Sequence, residues 1–440
     1  MQKSKFSAAL CCALFSLAAF TACSDDDTTT VGTDEVQETE LKAITRQYID
    51  ATLHPTYAQL ADSTTQLFDA LHAIKLKLQQ APQTLTDADV AEACDVFIKA
   101  RANYETSEAF LFGAATDFGI DPHIDTWPLD LQGLAVALNN TTQIREMDSY
   151  ADGHAGDPAY YTGDAYAGNK LGPELLGFHG IEFIIFRNGA PRTAADLRGT
   201  DRYEGTALEG KYSVTGVNEL IFATAVAGDL RNKCWQMEVS WNENAPADHC
   251  TKVEEDLEWP CSVAGTGLSY GQNFLLAGQP GSTYASVRKA VEAILEAGCA
   301  SIADEVGNTK MGKPFTGEDK NYIESPFSER SLYDFYDNIM SIENSYMGGR
   351  PELRNESLSL HAYLQKYNAD LDTRVTQAIR TAKARIQACP KPFVLYYNAS
   401  QVEQAIAACN ELDAALSEAA QWILRNLEAA LPVMRSLLRL

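Results

Sequence analysis

The chain has 440 residues, with 35 lysines and arginines against 60 aspartates and glutamates, and a formal net charge of −25. That length can hold two or three domains with separate cores. So acidic a surface argues against nucleic acid and anionic membrane faces as partners, which need basic patches, and is compatible with attracting cations.

At the N-terminus, Lys3 and Lys5 precede an apolar run from Phe6 to Ala19 that is too short to anchor by spanning. Phe20-Thr21-Ala22 then leads into Cys23, as in a lipoprotein cleavage box. Residues 1–22 are therefore expected to be a lipoprotein signal peptide, Cys23 the lipidated first residue and 23–36 an acidic, Thr-rich tether. The expected location is the outer membrane, exposed to the periplasm or the cell surface, with membrane contact through the lipid alone. An ordinary secretory signal, with Cys23 incidental, is the alternative.

From residue 37 the apolar period is helical, as at Leu67, Leu71, Ile74 and Leu78. A long helix is expected to about Gln80, kinked near Pro55, which lacks a backbone donor. Thr86-Asp87-Ala88-Asp89 reads as the capped start of a helix reaching Gly113. Residues 114–172 read as loops around a short helix near 129–141, and Pro173 as the opening of the helix that carries Gly177-Phe-His179-Gly-Ile-Glu182-Phe183. A Cys-, Pro- and Gly-rich excursion follows at 242–281, and helices resume near Ser282, Ser328, Asn368 and Ser400. The last of them carries a stripe from Leu412 through Leu416, Ala420 and Ile423 to Leu427, Ala430, Met434 and Leu438. Alternating strand patterns are nearly absent, so the fold is expected to be all-α, with bundles at 37–200 and 207–440.

Cys94 reads as a buried free thiol. The six later cysteines (Cys234, Cys250, Cys261, Cys299, Cys389 and Cys409) form an even set, some of which should pair in an oxidising compartment. No CxxC spacing favours a zinc-thiolate centre.

His179 and Glu182 are three apart and share a helix face, so imidazole and carboxylate offer half a site for zinc or iron. Alone, such a histidine in an apolar helix is more often a hydrogen-bonded core residue. Four further stretches weigh against that reading: Arg101 to Phe110 with Tyr104, Glu105 and Glu108; the loop Asp121 to Asp130; Glu324 to Ser328 followed by Asp334 and Asn338; and Pro390 to Phe393.

Together these resemble the imelysin-like peptidase family. Its GxHxxE is met at Gly177, His179 and Glu182, its acidic loop at Asp125, Trp127-Pro128 and Asp130, and its ESxFS-type segment at Glu324, Ser325, Phe327 and Ser328. The resemblance implies two helical bundles with approximate internal symmetry, a functional cleft between them, and a link to iron acquisition or metallopeptidase activity. On this reading His179, Glu182, Glu105, Glu108 and Asp125 are the metal candidates. Gly177, Tyr104, Trp127, Ser325, Phe327, Ser328, Asp334 and Asn338 are the ligand-binding candidates. The expected cargo is a metal ion, iron or zinc, or a small iron-bearing ligand, handed to a partner protein of an uptake system. The abundance of carboxylates suits a hard cation better than a peptidase zinc. A zinc-dependent endopeptidase and a metal-free helical binding module are the alternatives.

Overall fold

The computed structural model describes residues 29–425, which are mainly helical. Cys23, the leader and the end of the C-terminal stripe (Leu427 onward) lie outside these residues. None of the described helices is long and apolar enough to cross a membrane.

Helix α1 (Thr29–Tyr48) starts inside the expected tether, ahead of the good helix formers that follow Val36. It runs through a π-helical turn (Ile49–Leu53) into α2 (His54–Gln80). The kink expected near Pro55 is this turn. Proline leaves the Ala51 carbonyl without its helical donor, and Arg350 N donates to it instead at 2.9 Å.

Helix α3 (Asp87–Glu105) opens on a reciprocal capping box between Thr86 and Asp89. It stops at Glu105 rather than Gly113, and a 3₁₀ turn (Glu108–Phe110) follows. Short helix α4 spans Asp121–Ile124 and α5 spans Gly163–Lys170. Pro173 opens a separate 3₁₀ turn rather than the motif helix. That helix, α6, begins at Gly177, runs to Ile185 and is buried at every position.

Two antiparallel two-residue pairings (Phe186–Arg187 with Ala190–Pro191, Thr200–Asp201 with Val214–Thr215) lead to α7 (Gly216–Trp241). The expected second bundle would begin with this stretch. Helix α7 packs along α2, α5 and α6, and most of its residues are buried. Helix α1 conversely packs against Val287–Glu292 and Leu360–Tyr367 of the later chain. The later group also contains α8 (Ser331–Tyr346), α9 (Ala369–Gln387) and α10 (Ser400–Arg425), with α9 and α10 packed as a pair. Helix α10 buries Leu412, Leu416, Ala420 and Ile423, as its stripe predicts. Contact between α3 and α8 joins the early and late groups.

All seven described cysteines are free thiols, against the expectation that some pair. Local acceptors take several of them: Cys250 bonds the Ala245 carbonyl, Cys261 the Glu254 carboxylate and Cys389 the Arg385 carbonyl.

One buried polar group away from the site sets a pH dependence. His72 lies on Tyr150 (Nε2 to hydroxyl, 2.9 Å) beside Lys75, which pairs with Asp148. Burial, aided by the Lys75 charge, lowers its pKa to about 4 from the usual 6.5. The folded chain therefore binds this proton less readily than the unfolded chain. The contribution of His72 is complete above pH ~6.5 and is lost as pH falls toward about 4. His72→Gln should flatten the stability profile in that window by about 1–2 kcal/mol. Unchanged urea midpoints between the two proteins across the window would contradict this.

Candidate metal centre

Backbone geometry brings the motif histidine to its carboxylate. Gly177 has φ +66°, and a Cβ there would stand 1.7 Å from the Ile124 carbonyl oxygen. Only glycine lets the end of α4 lie on the start of α6, and this sets Asp125 against His179. The imidazole Nε2 is 3.1 Å from Asp125 Oδ1, and Nδ1 is 3.7 Å from Glu182 Oε2. Burial by itself would lower the His179 pKa, but the hydrogen bond to Asp125 and the nearby Glu182 carboxylate outweigh it and raise the value to about 9. At that value the ring carries its second proton near neutral pH and pairs with both carboxylates.

Glu182 is bound to the late chain. Its Oε1 accepts from Ser328 N (2.7 Å), Ser328 Oγ (2.6 Å) and Phe327 N (3.2 Å). The Phe327 ring packs edge-on against Phe183 at 4.9 Å. Ser325, in the same segment, holds a left-handed backbone (φ +47°) and donates to Asp334.

Two cations that the motif reading does not place at the centre organise the remaining carboxylates. Arg101, on α3, contacts Asp125 through Nη1 and lies 2.5 Å from Glu105 Oε1 and 2.7 Å from Glu324 Oε1 through Nη2. Lys310 donates to Glu324 at 3.1 Å and lies 3.8 Å from Glu105 and 3.7 Å from Glu108. Glu105 also accepts from Asn338 Nδ2 at 2.6 Å. Glu105 and Glu108, expected beside the imidazole, therefore face Lys310 instead, with Arg101 standing between Glu105 and Asp125. Their places on α3 and the turn after it point them across the α3–α8 seam.

Carboxyl groups outnumber cationic groups in the cluster. Five buried carboxyl groups (Glu105, Glu108, Glu182, Glu324 and Asp334) and the partly buried Asp125 meet Arg101, Lys310 and the His179 imidazolium. Burial opposes ionisation of Asp125, but Arg101 and His179 hold its pKa down at about 2. At Glu324 burial prevails over Lys310 and raises the pKa to about 7. Burial also raises Glu108 and Asp334 well above the carboxylate range. Five of the ten buried polar side-chain atoms without a hydrogen-bond partner among the described residues fall here: Arg101 Nε, Glu105 Oε1, Glu182 Oε2, Glu324 Oε2 and Asn338 Oδ1. Oxygens of Glu105, Asp125 and Glu324 lie within 4.8 Å of one another, and the Arg101 guanidinium already bridges all three.

Beside this cluster a cavity of about 220 Å³ is lined by Glu108, Asp121, Asp125, Trp127, Glu305 and Tyr322, among others. Trp127 and Tyr322 pack at 3.9 Å between ring centroids. Tyr104 is fully buried and donates to Asp121 at 2.5 Å, so it supports this wall. The donor set, carboxylate oxygens with one imidazole behind them, fits a hard cation.

Fold and site together define an all-helical protein with a buried imidazole–carboxylate–guanidinium cluster where early and late helices meet. The chain belongs to the imelysin family: the family model for imelysin, peptidase M75, matches residues 53–421. It is 25% identical over 371 residues to iron-regulated protein A of Synechococcus elongatus, covering 84% of this chain and 82% of the relative. A crystal structure described as that of an iron-regulated protein A precursor, from Parabacteroides distasonis, superimposes with a TM-score of 0.67 at 26% identity, covering 87% of this chain and 95% of that one. An imelysin-like protein from Psychrobacter arcticum shares the fold at 13% identity, with a TM-score of 0.52 over 89% of this chain and 95% of that one.

Proposed function

We propose that the protein binds iron as a lipid-anchored member of an uptake system, using the His179–carboxylate cluster and the cavity beside it. The observation that carries the reading is a cluster of six carboxyl groups around three cationic groups, in which burial pushes Glu108, Glu324 and Asp334 toward the protonated form. Buried uncompensated charge is costly, so such a cluster must hold protons or take up a cation. Iron-related names among the relatives support iron as that cation. Anchoring would come from Cys23 and transfer to a partner protein from the exposed face of the cavity.

A hydrolytic zinc centre fits less well, because it usually takes three protein ligands, and imidazoles are common among them. Five other described histidines are committed elsewhere: His54 to the Trp241 carbonyl, His72 to Tyr150, His123 to Asp229, His249 to Glu238 and His361 to Asp372. Elemental analysis of protein purified without chelators from iron-supplied cells is expected to give about one iron per chain. Zinc in its place, with chelator-sensitive peptide cleavage, would favour the peptidase; no metal at all would leave a metal-free helical module.

A further inference from the structure

The family motif draws attention to His179 and Glu182, yet both are already committed. Glu182 Oε1 accepts three hydrogen bonds from Phe327 and Ser328, and the His179 ring stands between Asp125 and Glu182. Neither residue lines the cavity; Glu108, Asp121, Asp125 and Glu305 do. Glu108 is only 5% exposed, and none of the described hydrogen bonds reaches its carboxylate; its nearest cation is Lys310 Nζ at 3.7 Å. A buried, undersatisfied carboxylate in a cavity wall calls for a ligand.

The chain builds this wall from distant segments. Residues 305–311 form a π-helical turn, in which hydrogen bonds span five residues, so Glu305 and Lys310 come round to one side. Glu305 lines the cavity while Lys310 reaches Glu324 and Glu108 behind it. Asp121 is fixed from the other side by the Tyr104 hydroxyl, which donates to Oδ1 at 2.5 Å and leaves Oδ2 open to a ligand.

We propose that Glu108, Asp121, Asp125 and Glu305 are the direct cation ligands, and that His179 and Glu182 are positioning residues that hold Asp125 and the Phe327–Ser328 segment in place. This rests on the iron-binding reading and deepens it by naming the form of the cargo. A volume of about 220 Å³ is roughly seven waters at ~30 Å³ each, and lies below the ~300–1,000 Å³ of pockets for organic ligands. Lined by carboxylate oxygens, the cavity suits a hydrated divalent or trivalent cation with oxygen ligands throughout.

Terbium(III), a hard cation sensitised by nearby indole, tests this in the purified full chain, because Trp127 stands in the cavity wall. Wild type is expected to give sensitised emission that Fe(II) displaces, with Trp127→Phe dimming it. The double variant Asp121→Asn/Glu305→Gln should weaken both Tb(III) and Fe(II) binding at least ~10-fold while its circular dichroism stays unchanged. Wild-type affinity in that double variant, with binding lost in a folded Glu182→Gln, overturns the ligand assignment and leaves the iron reading standing. Binding of ferric citrate but of neither free ion overturns the cargo assignment alone. Binding of none of the three overturns both.

Discussion

Replacing Arg101 with methionine is expected to destabilise the protein by about 3–5 kcal/mol, the range for removing one partner of a buried charge cluster. The guanidinium is 2% exposed and serves Asp125, Glu105 and Glu324 at once. Methionine fills much of the same volume, so the loss reports charge and hydrogen bonds more than packing. An internal control is available on the surface. Arg374 makes two hydrogen bonds to Glu418, at 2.6 and 2.7 Å, with both side chains about half exposed. Arg374→Met should cost less than ~1 kcal/mol, because water screens the pair. Urea denaturation of the three proteins compares them directly. A loss below ~1 kcal/mol for Arg101→Met would mean that the buried carboxyl groups are neutralised mainly by their own protons.

Gly177→Ala is expected to cost about 3–5 kcal/mol, at the severe end for a single methyl group. Part of this is the left-handed backbone at φ +66°, worth about 1–2 kcal/mol for a residue with a Cβ. The larger part is collision with the Ile124 carbonyl, which is backbone and cannot rotate away. Gly205 separates the two effects: its φ is +76°, and a Cβ there would have nothing within 4 Å. Gly205→Ala should therefore show only the backbone cost, about 1 kcal/mol. Equal losses at the two positions in thermal or urea unfolding would contradict the contact assigned to Gly177.

Helices are legible in the sequence wherever a local signal sets them. Thr86 and Asp89 cap α3 as their spacing predicts, and the Leu412–Ile423 stripe is buried in α10. Signals that depend on enclosure are less legible. Helix α7 reads as part of the later chain, because nothing local shows that α2, α5 and α6 surround it. Pro173 reads as the start of the motif helix, yet the required left-handed Gly177 resets the chain four residues on.

At the site, sequence spacing finds the His179–Glu182 pair, and the acidic loop supplies Asp125. It does not place Arg101 and Lys310 among the carboxylates. Arg101 does carry one local sign, its four-residue spacing to Glu105. Lys310 lies more than 120 residues from His179 and Glu182 in sequence, and it joins their cluster by tertiary packing against Glu324, Glu105 and Glu108. Asp121 and Glu305 escape for a further reason: in a chain with 60 acidic residues, acidity does not distinguish a cavity wall from a solvated face.

Whether the cluster takes up iron is decided by titration calorimetry of Fe(II) into the purified protein under anaerobic conditions. The expected result is a saturable isotherm near one ion per chain, weakened at least ~10-fold in His179→Ala, because Asp125 loses the imidazolium that helps to hold it at 3.1 Å. No heat from wild type, or superimposable isotherms from the two proteins, would contradict iron binding at this cluster.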